Sequence, residues 1–348
     1  MGGAEWWHLR AALALSARGH TVRLLLRRGP LADRAREAGL AIDLLPLAFD
    51  LDLVSTARAF FLFRRHRPDL ILLNDQRECR LVAPAAAAAG VRARVQRKGW
   101  PFLKGSWRDR LIYRHAVTHL LAVSEEVARV FRARSGLPLE KIRVLVNGVD
   151  TIKFGGGDRA GMRERLGATE GAPLFGSAGR LASQKNFSLL VEALGRFNTG
   201  RPRLAIAGEG EERGALAERA RTYGVELMMP GQVDDMPSFY AALDGFVFPS
   251  RQEGRSNAVA EAMAAGLPVV VSDIPGNREL IEPGRTGLLF PAGDAGALAA
   301  EIKGLLADPV RARALGAAAR AWARENLDAE KSWTALEDNL RDAAGGTW

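Results

Sequence analysis

The feature that most constrains this chain is a repeated alternation of short runs of consecutive apolar residues with stretches of helical periodicity. It opens with a helical pattern over 4–17, in which Trp6, Leu9, Leu13 and Ala17 fall on one face. Gly19 stops it, and Thr21-Val22-Arg23-Leu24-Leu25-Leu26 reads as a strand. The same unit returns at Leu70-Ile71-Leu72-Leu73 and at Leu120-Leu121-Ala122-Val123, which leads into a helix at Ser124-Glu125-Glu126. Strands that are apolar on both sides need cover on both faces, so the pattern predicts an α/β fold of parallel sheets between helices.

The alternation breaks near Asn147-Gly148-Val149-Asp150, and Gly155-Gly156-Gly157 follows, a composition suited to a flexible link. A second series starts at Leu174-Phe175-Gly176-Ser177. It continues through Leu204-Ala205-Ile206-Ala207-Gly208, Gly245-Phe246-Val247-Phe248-Pro249 and Val269-Val270-Val271-Ser272, and is expected to finish in helices. A length of 348 residues fits two domains. The expected division is 1–153, 154–328 and a C-terminal helix over 329–348 that packs back on the first domain.

No apolar run approaches the roughly 18 to 20 residues needed to span a bilayer. The opening Met1-Gly2-Gly3-Ala4-Glu5 lacks a basic start and an apolar signal segment, and Trp6 stands where a myristoylation motif needs Ser or Thr. Cys79 is the single cysteine, so no intrachain disulfide forms and a cytoplasmic location is expected. The net charge of +9 is uneven: residues 1–153 carry 27 Lys+Arg against 14 Asp+Glu, an excess of +13, and the remainder carries 22 against 26, or −4. A basic half points to an anionic partner, such as a membrane surface or a phosphorylated acceptor. Nucleic acid is not expected, because no motif that binds it accompanies the charge.

The stretch Glu253-Gly254-Arg255-Ser256-Asn257-Ala258-Val259-Ala260-Glu261 reads as a loop followed by a helix that Ser256 or Asn257 caps and Gly266 ends. The backbone N–H groups of Asn257, Ala258 and Val259 would then face outward, and together with the helix dipole they favour a phosphate. Glu261 shares a helix face with Asn257, and Glu253 approaches from the loop. Alone, the two acids would read first as a capping acid and a solvated helix acid. Positive charge comes from Gly179-Arg180-Leu181-Ala182-Ser183-Gln184-Lys185-Asn186, a loop between a strand and a helix, where doubly wound folds place ligands. An arginine fork and a lysine there would hold a diphosphate.

Taken in order, the motifs make the whole chain resemble glycosyltransferase family 4, the large retaining family with the GT-B fold. The resemblance rests on Gly2-Gly3-Ala4-Glu5, Ala122-Val123-Ser124, Asn147-Gly148-Val149-Asp150, Gly179-Arg180-Leu181, Gln184-Lys185-Asn186, Gly208-Glu209-Gly210, Gly231-Gln232-Val233, Pro249-Ser250 and the E-x7-E pair Glu253 and Glu261. It implies two Rossmann-like doubly wound domains facing a central cleft. The donor is a nucleotide sugar, a UDP- or GDP-sugar, and the acceptor a glycan or a lipid-linked sugar of cell-surface polysaccharide or lipopolysaccharide synthesis.

By position, the resemblance implies that Arg180 and Lys185 bind the donor diphosphate, Glu253 contacts the transferred sugar and Glu261 holds the ribose. Val233 and its neighbours frame the base; Gly254 and the backbone of Ser256, Asn257 and Ala258 meet the donor; Gly2 and Gly3 let the first domain come close to the diphosphate. Transfer proceeds with retention and needs no cofactor or metal. Family members carry a β-strand where Met1 stands, so the first strand is expected to be missing. Many also have a histidine where this chain reads Val95-Gln96-Arg97-Lys98-Gly99-Trp100, which leaves Arg97 or Lys98 to act on the acceptor or sugar.

Two basic and aromatic segments, 57–67 and 97–114, read either as core with solvated arginines or as a surface for an anionic membrane, which would place the enzyme at the inner face of the cell membrane. His8, His20, His66, His115 and His119 lack metal-ligand spacing, so no metal site is expected. Asp50-Leu51-Asp52 is expected to be surface loop. A nucleotide-sugar 2-epimerase and a non-catalytic nucleotide-sugar-binding scaffold are the alternative readings.

Overall fold

Contacts divide the chain into two units, Met1–Val146 together with Glu330–Trp348, and Asn147–Ala329. The computed structural model describes residues 3–49, 52–168 and 171–346.

In the first unit, α1 (Gly3–Ala17), β1 (Arg23–Leu26), α2 (Pro30–Glu37) and β2 (Ala41–Leu44) are followed by α3 (Leu53–His66), β3 (Leu70–Leu73), α4 (Gln76–Ala88), β4 (Ala93–Lys98), α5 (Trp107–His115), β5 (His119–Ala122), α6 (Glu125–Arg134) and β6 (Ile142–Val144). All strand pairs are parallel, but they form two separate sheets, β1-β2 and β3-β4-β5-β6. The second edge of β1 and that of β3 have no strand partner among the described residues.

One face of the four-stranded sheet is covered by α3 to α6 through Ala59, Phe63, Ala83, Tyr113 and Phe131. The other is covered by α1 and α15 (Ala329–Ala343): Trp7, Ala11, Leu336 and Leu340 pack on Val95 and Leu121. Ser332 of α15 donates to the Val146 carbonyl at 2.7 Å, and Glu330 pairs with Arg18 at 2.7 Å.

The face expected for α1 differs from the one observed, since Leu13 is 38% exposed and Trp7 only 5%. The helix is wedged: Trp7 and Ala11 face one cluster, and Leu9 and Ala12 face another with Ala35 and Leu40. Burial on two sides erases the one-sided period that sequence reading relies on. Asp52 is likewise buried rather than surface loop. It caps α3 by accepting from the N–H of Ser55 at 2.9 Å, and the Ser55 hydroxyl and backbone bonds hold its carboxyl below the usual range. Asp50 and Leu51 lie outside the described residues.

The second unit contains α7 (Arg159–Arg165), β7 (Leu174–Ala178), α8 (Phe187–Gly195), β8 (Arg203–Ala207), α9 (Arg213–Tyr223), β9 (Leu227–Gly231), α10 (Met236–Ala242), β10 (Gly245–Phe248), α11 (Asn257–Ala264), β11 (Val269–Ser272), α12 (Pro275–Arg278), β12 (Leu288–Phe290), α13 (Ala295–Ala307) and α14 (Pro309–Asn326). One parallel sheet runs β9-β8-β7-β10-β11-β12, the doubly wound order in which the first strand lies centrally and the chain reverses direction beside it. β7, β10 and β11 are buried along their whole length, as strands covered on both faces must be. After β11 an edge strand of three residues, β12, comes before the helices α13 and α14 in which the series finishes, as expected.

The glycines at 155–157, expected as a flexible link, are folded into this unit. Lys153–Gly155 is a short 3₁₀ turn, and Phe154 is buried with its ring 5.7 Å from that of Tyr240. Arg320 donates to the Gly155 carbonyl at 3.2 Å, and a Cβ on Gly157 (φ 148°) would collide with the Pro237 carbonyl. These glycines permit close packing rather than motion.

Candidate active site

Within the second unit the chain reverses between β7 and β10, so the loops that leave the carboxyl ends of these neighbouring strands open beside each other. One loop carries Arg180 and Lys185, the other Glu253. Residues 68 positions apart in sequence thereby meet: Lys185 Nζ lies 2.5 Å from Glu253 Oε1. Ser250 Oγ donates to the same oxygen at 2.8 Å, and Gln184 Nε2 reaches it at 3.4 Å while bonding the Gln252 carbonyl at 3.0 Å. Glu253 is 8% exposed, and all of these donors go to Oε1, so Oε2 remains for a further donor. The Lys185 ammonium also lies 4.9 Å from the centre of the Phe248 ring, a cation–π contact.

Glycines shape the first loop. Gly179 has φ 149°, and its carbonyl occupies the space that a Cβ on Gly208 would need; Gly210 meets the Leu181 carbonyl in the same way. Hydrogen bonds from Gly179 N to Ala207 O and from Leu181 N to Glu209 O, both 2.9 Å, then zip the loop to the one after β8. Arg180 stands exposed on this rigid base.

The second loop is latched from below. Ser250 O accepts from Ser272 Oγ at 2.5 Å, and Asn277 Nδ2 donates to Ser272 O at 2.8 Å. Gly276 in α12 lies against the carbonyls of Glu253 and Gly254, where any Cβ would clash. Arg255 turns inward, 9% exposed, with a guanidinium nitrogen 3.8 Å from a Glu279 oxygen; burial lowers its pKa and Glu279 partly restores it.

Ser256 caps α11 by accepting from the Val259 N–H at 3.3 Å. That N–H, expected to face outward, is therefore engaged, and the first-turn N–H groups of Asn257 and Ala258 remain without an intrahelical acceptor. Asn257 Oδ1 accepts from Asn147 Nδ2 at 2.9 Å. Glu261 Oε2 accepts from the Tyr240 hydroxyl at 3.0 Å, which also lies 3.3 Å from the Ala258 carbonyl. Burial, with the Glu261 carboxylate adding to it, pushes the Tyr240 phenol well up, so it stays a donor. Val233 follows β9 and the left-handed Gly231 (φ 81°) and is half-buried.

The structure thus brings Arg180, Lys185, Val233, Glu253, Gly254, Ser256, Asn257, Ala258 and Glu261 to the carboxyl edge of one sheet. Ser250, Gln184, Tyr240, Gly276 and Arg255 support them and were not among the candidates. Ser250 and Gln184 stood in quoted motifs and Arg255 in the quoted loop, whereas Tyr240 and Gly276 carried no local signal.

Gly3 begins α1, and Gly2 lies outside the described residues. Arg97 and Lys98 end β4 at the carboxyl edge of the first unit's sheet. Arg97 is not open to a ligand as expected. It is 3% exposed, its guanidinium lies 3.9 Å from the Trp7 ring centre, and burial brings its pKa down to about 9. Lys98 is partly open, with its ammonium 5.8 Å from the Phe131 ring centre and its pKa lowered by burial. Nearby, Glu78 closes a capping box on α4 by accepting from the Asp75 N–H at 3.4 Å, and it also accepts from the Asn74 N–H at 2.5 Å; burial and, second, the charge of Asp75 raise its pKa to about 7. Among the described residues no group of three or more His, Cys, Asp or Glu is placed to hold a metal ion, and no helix is long and apolar enough to cross a membrane.

Two family models match: Glycosyltransferase Family 4 over residues 1–153 and Glycosyl transferases group 1 over 172–308. The chain is 30% identical over 256 residues to a GDP-mannose-dependent monoacylated alpha-(1-6)-phosphatidylinositol monomannoside mannosyltransferase of Corynebacterium glutamicum, covering 70% of this chain and 66% of that one. It is 35% identical over 166 residues to a GDP-mannose-dependent alpha-mannosyltransferase of Mycobacterium tuberculosis, where the match spans only 40% of the relative. With the lipopolysaccharide core biosynthesis glycosyltransferase LpsE of Rhizobium meliloti the match runs over 325 residues at 29% identity, 88% of this chain and 86% of LpsE. Among solved structures, Anabaena HepE in complex with UDP superposes with a TM-score of 0.86 at 22% identity, over 98% of this chain and 96% of HepE. That likeness shows the GT-B fold, two Rossmann-like domains, and with the family matches it gives the conclusion: this chain belongs to glycosyltransferase family 4.

Proposed function

We propose that this chain moves a hexose or related sugar, with retention, from a UDP- or GDP-sugar to a glycan or lipid-linked acceptor of cell-surface polysaccharide or lipopolysaccharide synthesis. The observation that carries the reading is the junction at the β7/β10 reversal. There, the Lys185 ammonium and the Glu253 carboxylate sit 2.5 Å apart beside Arg180 and the start of α11. An ammonium, a guanidinium and unpaired helix N–H groups suit a diphosphate, and a held carboxylate with a free oxygen suits sugar hydroxyls. Support for the nucleotide comes from relatives: the Corynebacterium glutamicum enzyme is named as GDP-mannose-dependent, and HepE was solved with UDP and with UDP-glucose.

In this reading Arg180, Lys185 and the N–H groups of Asn257 and Ala258 stabilise the charge that develops on the departing diphosphate, without a metal. The acceptor hydroxyl attacks on the face from which the phosphate leaves. Glu253 Oε2 orients the transferred sugar, Glu261 holds the ribose in place of part of its bond to Tyr240, Val233 borders the base, and the tight backbone at Gly254 and Ser256 lets the donor approach. Lys98, rather than the covered Arg97, faces the acceptor. The +13 excess over residues 1–153 draws the protein to anionic membrane on the inner face of the cell, where such an acceptor is presented.

Thermal unfolding in the presence of UDP- and GDP-sugars tests this, because a ligand of the folded state raises the transition by mass action. The true donor raises it and is turned over to free nucleoside diphosphate and a glycosylated acceptor. An epimerised sugar released instead would assign the 2-epimerase activity, and stabilisation without any turnover would leave a scaffold.

A further inference from the structure

The second use of the fold concerns the outer surface of the first unit. α3 and α5 both pack against α4, and all three helices share one core on the same face of the β3–β6 sheet. The helical period then fixes where their outward residues point. On α3 the buried positions Ser55, Ala59 and Phe63 face the core, which turns Val54 and Phe61 away from the sheet. On α5 the buried Asp109 and Tyr113 do the same for Trp107 and Leu111. These side chains are large, apolar and open to solvent: Val54 is 66% exposed, Phe61 68%, Trp107 71% and Leu111 52%. Leu53 at 76% and Phe49 at 60% add exposed apolar surface ahead of α3, and Phe102 at 53% does so ahead of α5.

Both helices also carry positive charge. Between Leu53 and Arg67 there are four arginines, Arg58, Arg64, Arg65 and Arg67, and no acid. Arg108, Arg110 and Arg114 project from α5, while its one acid, Asp109, is buried against Ser106, Gln76 and Arg80. Arg64 and Arg67 also border an open recess of about 290 Å³ with Arg92 and Asp69.

We propose that the outward faces of α3 and α5 form a docking surface for an anionic lipid bilayer, with Val54, Phe61, Trp107 and Leu111 entering the headgroup boundary and the surrounding arginines pairing with lipid phosphates. The occupant follows from the combination. An apolar patch ringed by unopposed arginines matches a surface that is apolar below and negative above, and an aromatic ring suits the boundary between the two. A second copy of this chain would bring like charge to like charge across a symmetric contact. The N-termini of α3 and α5 lie at the carboxyl edge of the strands, so the docked membrane borders the edge that carries Lys98. The proposal rests on a membrane-borne acceptor as the proposed function has it.

Co-sedimentation tests it, using full-length protein with vesicles of phosphatidylcholine alone and of equal parts phosphatidylcholine and phosphatidylglycerol. The expected result is binding to the anionic vesicles only. The double variant Phe61→Glu/Trp107→Glu should lower the partition coefficient at least tenfold, and Trp107→Ser alone about threefold. The control Ile152→Glu/Val310→Glu, at exposed apolar positions of the second unit, should stay within twofold of the parent. Raising salt from 0.1 to 1 M, which shrinks the screening length from about 10 to about 3 Å, should weaken binding without abolishing it in the parent but remove it in the double variant. Unchanged binding in both patch variants, or no binding by the parent, overturns the proposal. So does loss of self-association rather than vesicle binding. Thermal stabilisation by the nucleotide sugar, measured on the same variants, should equal that of the parent; it reports the donor site separately, so failure of one reading is not mistaken for failure of the other.

Discussion

Among the described residues the second unit carries its sheet unbroken through six strands, while the first divides a similar parallel architecture into a pair and a quartet. The difference reaches the side chains. β7, at the centre of the six, is buried at every position, whereas β1 and β3, which border the division, are mostly half-buried. Proposed chemistry follows the same line. The loops of the second unit are pinned by Ser250, Ser272, Asn277 and by glycines that admit no Cβ, so Lys185 and Glu253 meet on a fixed base. The first unit instead presents arginines and exposed rings on its outer helices, a surface suited to a large and variable partner. Positioning a diphosphate needs preorganised donors; meeting a membrane or a glycan does not.

The sharpest way to break this comparison is through the cores. Leu204→Ala, at a fully buried position in β8, should cost about 2–5 kcal/mol in denaturant unfolding. Leu24→Ala in the half-buried β1 should cost about 1 kcal/mol. Equal losses would mean that the two sheets do not differ in packing.

Next in size are the site variants. Lys185→Ala and Arg180→Ala should each lower kcat/KM at least tenfold, since one diphosphate contact is worth more than about 1.4 kcal/mol. Glu253→Ala should reduce kcat more than Glu261→Ala, which should chiefly weaken donor binding. Near-normal turnover in both basic variants would remove the diphosphate from this loop.

What the sequence revealed follows the range over which each signal acts. Runs such as Leu204-Ala205-Ile206-Ala207 and Val269-Val270-Val271-Ser272 announce buried strands by themselves, and the β7 and β10 loops were legible as motifs. The 2.5 Å pairing of Lys185 with Glu253 was not, because only the strand order brings them together. Arg97 was open to a role at the acceptor or sugar, since nothing nearby in sequence reveals that Trp7 covers it. Gly155-Gly156-Gly157 looked mobile because Pro237, Tyr240 and Arg320, which confine that stretch, come from remote positions. Tyr240 behind Glu261 gave no local sign at all.

The smallest expected effect concerns the first unit and its pH dependence. Glu78 has a pKa raised from 4.5 to about 7 in the folded chain, chiefly by burial. The folded state therefore holds a proton that the unfolded state has released, and stability should fall as pH rises from about 4.5 to about 7. Glu78→Gln should flatten that slope, and an unchanged slope would place the burial of Glu78 in doubt.

The central claim is that the loops at the reversal between β7 and β10 of the second unit hold the diphosphate. Amide hydrogen exchange with and without UDP or GDP tests it most directly. The account predicts slowed exchange over 179–186 and 254–261 when nucleoside diphosphate is bound, lost in Lys185→Ala at the same concentration. Nucleotide binding that leaves both segments unprotected would contradict it.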